Sequence, residues 1–172
     1  SEKSNKYGSY QNFGSLKVST GHSSKSNYIR TLDLTTATGT VSYTTNGVEY
    51  TRQYIASNPA QVIAVRYAAS QGGKLNLTFT LVPGVSGSMT YSNGEGYFSG
   101  KLDVVSYNSR FKVVNTGGSL SSKSNGITVS GADEVVIYLA GVTDFDNTKS
   151  TYVSGATAED LANTVSRRLD EA

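Results

Sequence analysis

Apolar and polar residues alternate along most of this chain, and the period of two marks extended backbone rather than helix. Gly14 to Val18 open the first such segment. In a second, from Tyr28 to Leu34, residues Tyr28, Arg30, Leu32 and Leu34 share one face, and Ile29, Thr31 and Asp33 share the other. Val41 and Tyr43 then alternate with Ser42 and Thr44, Asn46-Gly47 follows, and Val48 and Tyr50 alternate with Glu49 and Thr51. Asn-Gly between two alternating runs predicts a two-residue type I′ hairpin, because both central residues need positive φ. Residues 61–69 are nearly continuous in apolar character, as in a central strand covered on both faces. After Gly72-Gly73, residues Leu75, Leu77, Phe79 and Leu81 alternate with Asn76, Thr78 and Thr80, which predicts a strand covered on one face and ended by Pro83-Gly84.

The second half continues in the same manner. Residues 85–96 form a glycine-rich connection with a short strand at Ser88–Tyr91. Extended segments are predicted at Tyr97–Tyr107 and Arg110–Asn115, then a turn at Gly117-Gly118, a short strand at Ile127–Ser130 and a strong one at Glu134–Val142. The period changes only at the end. Leu161, Val165 and Leu169 recur every four residues, and Thr157 with Asp160 resembles a capping box with Asp in place of the usual Glu or Gln. About ten extended segments with regularly spaced turns, and no βαβ alternation, predict an all-β fold. The expected architecture is an antiparallel β-sandwich or super-sandwich with one C-terminal amphipathic helix.

Composition narrows the chemistry. The 172 residues contain no cysteine and one histidine, His22, which excludes disulfides, cysteine nucleophiles and cysteine-based metal sites and disfavours serine–histidine catalysis. Ser and Thr make up about a quarter of the chain, and aromatic content is mostly tyrosine (12 Tyr, 5 Phe, no Trp), a usage suited to half-buried sheet surfaces. The net charge of +2 is dispersed, and its densest pair, Arg167-Arg168, is followed by Asp170 and Glu171. Nucleic acid is therefore not an expected partner. Membrane insertion is not expected either, since no apolar run reaches spanning length.

Candidate chemical groups carry structural readings. Asp133 and Glu134 are adjacent, so they point to opposite faces of a strand and cannot flank one bond; the expected role is a turn acid before a strand. Asp144-Phe-Asp146-Asn147 offers oxygens to a cation but lacks the glycine and distal glutamate of a calcium loop. His22 lies in a polar stretch and is expected to be an exposed loop histidine. Asn93-Gly-Glu-Gly96 reads as a hairpin turn rather than a phosphate loop. Asn76-Leu-Thr78 matches a glycosylation acceptor within a predicted strand. Tyr7, Tyr10, Tyr28, Tyr91, Tyr97 and Tyr107 could stack on sugar rings or pair across strands. No catalytic residue, metal ligand or cofactor is assigned to any position.

An ordered set of segments resembles one known family. Tyr10-Gln-Asn-Phe-Gly14-Ser-Leu16, Tyr28-Ile-Arg30-Thr-Leu32-Asp33-Leu34 with Ala37 to Tyr43, and Gly47-Val-Glu-Tyr50-Thr-Arg52-Gln-Tyr-Ile-Ala56-Ser57 resemble, in order, "YQ-x-x-G-D-L", "YRRELDL…A-x-x-x-VSY" and "GV-x-YTRE-x-FAS". Pro59 to Arg66, Phe111 to Gly118, and Val129 through Phe145 continue the series to about residue 147. These segments are similar to the N-terminal domain of glycoside hydrolase family 95, the α-L-fucosidases. That domain usually begins further upstream, with a tryptophan-containing strand not found here, and Ser15 stands where the family has an acid.

The resemblance implies a larger, exported enzyme in which an N-terminal super-sandwich precedes a helical linker and an (α/α)6 barrel that carries the catalytic groups. Residues 1–150 would be the sandwich and residues 151–172 the start of the linker, with Leu161, Val165 and Leu169 packing on the catalytic domain of the same polypeptide. Location would be secreted, periplasmic or at the cell surface. The parent would hydrolyse terminal α-L-fucosides with inversion, or related galactosides, and fucosylated glycans are a further expected partner. The alternative is a stand-alone carbohydrate-binding or adhesion module that acts through exposed tyrosines.

Overall fold

The computed structural model describes residues 11–172 and contains twelve strands and one helix. The strands are β1 (Gly14–Ser19), β2 (Ser26–Asp33), β3 (Thr38–Thr45), β4 (Val48–Ser57), β5 (Val62–Ala69), β6 (Leu75–Pro83), β7 (Ser88–Ser92), β8 (Glu95–Lys101), β9 (Ser106–Thr116), β10 (Ser119–Lys123), β11 (Gly126–Ala132) and β12 (Glu134–Thr143); the helix α1 spans Ala158–Asp170. Four strands form one sheet in the order β1-β6-β11-β10. Eight form the other, β2-β3-β4-β5-β12-β9-β8-β7. Every pairing is antiparallel. The all-β sandwich with one C-terminal helix is thus the observed fold.

The core forms where the two sheets face each other. Leu75, Leu77, Phe79 and Leu81 project from β6, and Ile127 and Val129 from β11. They meet Tyr67, Phe98, Phe111, Val113, Val135 and Ile137 of the larger sheet. Burial follows the period of two most clearly along β6 and β9, which hide alternate residues. Strand β5 sits centrally, between β4 and β12, as its apolar run predicts, but it is not covered on both faces throughout, since Ile63 is exposed. The Asn46-Gly47 hairpin also forms as predicted, with φ of +51° and +74° at the two turn residues. Asn93-Gly94 repeats that geometry between β7 and β8.

Two strand expectations need correction. The stretch Tyr97–Tyr107 is not one segment: a turn at residues 102–105, closed by Leu102 N–H donating to the Val105 carbonyl at 2.9 Å, separates β8 from β9. Strand β10 has a single apolar residue, Leu120, in Ser-Leu-Ser-Ser-Lys, so its alternation is too weak to read, yet it pairs along β11.

The helix corrects a third. Leu161, Val165 and Leu169 are buried within this chain, at 0–4% exposure. Val165 and Leu169 seat on Val62 and Ala140, with Tyr138 and Val142 alongside, on the side of the eight-stranded sheet that faces away from the sandwich core. The stripe therefore already has its partner. The physical reason lies in β12: its apolar run places Val135 and Ile137 inward and Tyr138, Ala140 and Val142 within reach of the helix, so both faces of this central strand need cover. Thr157 caps the helix as predicted. Its hydroxyl accepts from Asp160 N–H at 3.1 Å, and the Asp160 carboxylate accepts from Thr157 N–H at 2.8 Å.

Candidate functional site: an aromatic and cationic face

The eight-stranded sheet extends past its smaller partner. Every residue of edge strand β2 is exposed, Leu32 to 66%, so the smaller sheet does not reach over this strand. The same face of β2, β3 and β4 carries a tyrosine ladder. Tyr43 pairs across strands with Tyr50, and their rings stack at 5.7 Å between centroids. Tyr28 stacks on Tyr43 from the edge at 6.4 Å. Asn27, with φ of +51°, coincides with a register shift between Ser26 and Ile29, and this bulge sets the position of Tyr28.

His22 closes the ladder from the loop before β2. Its ring lies 4.2 Å from Tyr50 between centroids, and its Nδ1 shares a 2.8 Å hydrogen bond with the Tyr43 hydroxyl. It is therefore not the free, exposed loop histidine expected from the polar sequence around it: tertiary contact with two aromatic rings overrides local polarity. Burial, and then the Lys25 ammonium, hold its imidazole below the ordinary value of 6.5. The Lys25 ammonium lies 5.6 Å from the Tyr43 ring centroid. Arg52 stands among Tyr43, Tyr54 and Tyr67, and burial raises the Tyr43 and Tyr67 hydroxyls while Arg52 lowers them. Arg52 Nε is buried without an acceptor. A shallow cavity of about 260 Å³ opens beside these groups between Arg30, Leu32, Val41 and Tyr54. A larger depression of about 470 Å³ lies between Phe13, Leu16, Ile63, Leu81 and Leu139 and is mainly apolar.

The remaining sequence candidates are held in structural roles. Asp133 Oδ1 accepts from Gly73 N–H at 2.7 Å, while Glu134 pairs with Arg66, so the adjacent acids serve different neighbours. Asp144 is buried and accepts from Ser106 N–H at 2.8 Å, and Asp146 accepts from the backbone and hydroxyl of Thr148. Among the described residues, no three potential metal ligands cluster. Asn76 Oδ1 accepts from Gly131 N–H at 3.1 Å. Tyr91 packs on Phe111 and Tyr107 is buried, while Tyr97 joins Glu95 and Arg110. Of the tyrosines singled out from sequence, Tyr28 joins the exposed face, and Tyr7 and Tyr10 lie outside the described residues. Tyr54 belongs to this face too. Its signal was its place opposite Gly39 in the hairpin register.

Two antiparallel sheets packed as a sandwich, with a helix on the outer face of the larger one, define an all-β sandwich domain. The chain belongs to the family described as glycosyl hydrolase family 65, N-terminal domain, whose model matches residues 1–148. It is 39% identical over 71 residues to alpha-L-fucosidase 2 of Arabidopsis thaliana, a match covering 39% of this chain and 8% of that protein. Its fold is similar to that of a "Putative kojibiose phosphorylase from human microbiome", with a TM-score of 0.58 and 8% identity over 94% of this chain and 25% of the other. The chain therefore spans a small part of the length of either relative, and it is an N-terminal domain of glycoside hydrolase-family enzymes.

Proposed function

We propose that this domain serves an exported α-L-fucosidase-like glycoside hydrolase, in which it is the non-catalytic partner of an (α/α)6 catalytic domain on the same polypeptide. The observation that carries this reading is the 39% identity with a plant α-L-fucosidase. Residues 1–150 act as the sandwich unit and residues 151–172 as the first element of the linker. Because Val165 and Leu169 fix α1 on the sheet, the helix is a set part of the outer face of the sandwich. Its polar face, with Glu159, Asn163 and Arg167, is left for whatever follows.

The test is the full-length parent enzyme with a nitrophenyl α-L-fucoside. Release of nitrophenol by the parent, with the 172-residue chain inactive, is the expected result. The likeness to a solved phosphorylase supplies a second reading, phosphate-dependent cleavage by the parent enzyme. Turnover that requires inorganic phosphate and ignores fucosides would replace the first reading with the second. Export is checked by fractionating the native source: parent enzyme confined to the cytoplasm overturns that part.

A further inference from the structure

The shallow cavity on the aromatic face exists because of one residue. Gly39 lies inside β3, where a glycine weakens a strand and often marks close approach of a ligand. Its backbone does not need a glycine, since its φ is outside the left-handed region. A Cβ there would meet only Tyr54 ring and Cβ atoms, at 3.8 and 4.0 Å, which is ordinary contact. Strand register places Gly39 between Leu32 on β2 and Tyr54 on β4. The missing side chain opens a notch with the Tyr54 ring on one wall and Leu32 on the other. In the neighbouring row, Arg30 and Arg52 flank Val41 from either side.

Charge on this face has one sign. Arg30 is exposed and makes no ion pair with any described residue. Arg52 holds a buried Nε without an acceptor, and Lys25 lies over the ladder. The nearby acids are elsewhere: Asp33 caps the turn after β2 through Thr35 N–H, and Glu49 alternates to the opposite face from Val48 and Tyr50. In a chain with 15 basic and 13 acidic residues, three cations without a carboxylate is a local bias toward an anion.

We infer that the notch over Gly39 is a subsite for an acidic sugar residue, a uronate unit of a glycan. The pyranose ring lies against Tyr54 with Leu32 opposite, and its carboxylate faces the Arg30 guanidinium, whose planar fork suits a carboxylate. The choice of a sugar over an acidic peptide rests on the reading of this chain as part of a carbohydrate-active enzyme; the charge preference rests on the notch itself.

Calorimetric titration of the 172-residue chain with trigalacturonate, neutral galactotriose and triglutamate tests this. Trigalacturonate is expected to bind at least roughly tenfold more tightly than either other probe, and to weaken as salt is raised. Gly39→Val fills the notch with a residue that strands favour, so it should reduce trigalacturonate affinity about tenfold or more while the melting temperature holds or rises. Arg30→Gln should remove the preference for the acidic over the neutral trisaccharide. No binding of trigalacturonate, equal affinity for the neutral sugar, equal affinity for triglutamate, or undiminished binding by Gly39→Val would each overturn the inference. The fucoside assay on the parent enzyme is independent. Fucoside turnover without uronate binding defeats the subsite alone, and uronate binding without fucoside turnover defeats the fucosidase reading alone.

Discussion

Removing the Glu95 carboxylate should loosen the helix from the sheet. Glu95, at the start of β8, accepts from Arg110 Nε at 3.1 Å and from a second guanidinium nitrogen, and also from the Tyr97 hydroxyl. Arg110 in turn donates to Ser166 of α1 and lies 4.7 Å from the Tyr97 ring centroid. The two charged side chains are only 11% and 15% exposed, so the pair is nearly buried. Breaking a buried pair by removing one partner costs about 3–5 kcal/mol, because the other charge is left without compensation. Residual exposure places Glu95→Ala near the lower end, about 3 kcal/mol. For a chain of this size 1 kcal/mol shifts the melting temperature by about 2–4 °C, so the expected loss is about 6–12 °C. Replacing both partners, as Glu95→Met with Arg110→Met, should come within about 1 kcal/mol of the unaltered protein, since well-packed apolar residues can substitute for a buried pair. A double-mutant cycle from urea unfolding measures the coupling, and hydrogen exchange at Val165 and Ser166 reports the helix. A melting temperature within about 2 °C of the unaltered protein for Glu95→Ala, or purely additive single effects, would refute the reasoning.

Leu169→Ala, at a side chain 3% exposed against the outer sheet face, should destabilise by about 2–4 kcal/mol in urea unfolding. Thr157→Ala removes the N-cap oxygen and should cost about 1 kcal/mol, measured as a lowered unfolding midpoint. His22 titrates below 6.5 when folded and at the ordinary value when unfolded, so the unfolded chain binds more protons near that pH. Stability should therefore fall as pH is lowered from about 6.5 toward the folded value, and thermal melts of His22→Gln should lack that part of the pH slope.

Strong alternation was legible in sequence, and weak alternation was not. The Asn46-Gly47 hairpin and β6 follow directly from alternation, because alternate residues are covered, and β12 follows from its apolar run, because the core takes one face and α1 the other. The capping box was legible from Thr157 and Asp160 alone. Strand β10 escaped because its pairing rests on backbone hydrogen bonds along β11, which leave no trace in side-chain polarity. The seat of α1 escaped for a different reason: periodicity shows that Leu161, Val165 and Leu169 need a partner but not which surface supplies it. The candidate site was the least legible. Tyr28 was visible as an exposed aromatic candidate, but the part played by His22, Arg52 and Gly39 depends on cross-strand register, which brings residues distant in sequence side by side.

The position of α1 also dictates an order of assembly. Ile63 pairs with Leu139, and Ala68 with Glu134, so the central seam of the large sheet joins halves made far apart in time on the ribosome. Such non-local pairings close slowly. The cover for Val62 and Ala140 comes from α1, which follows both in the chain. Until α1 is synthesised, the nascent chain carries a bare apolar strip over its central strands. In that interval a competing apolar segment can reach the strip, and this gives α1 a second task, to occupy its own sheet first.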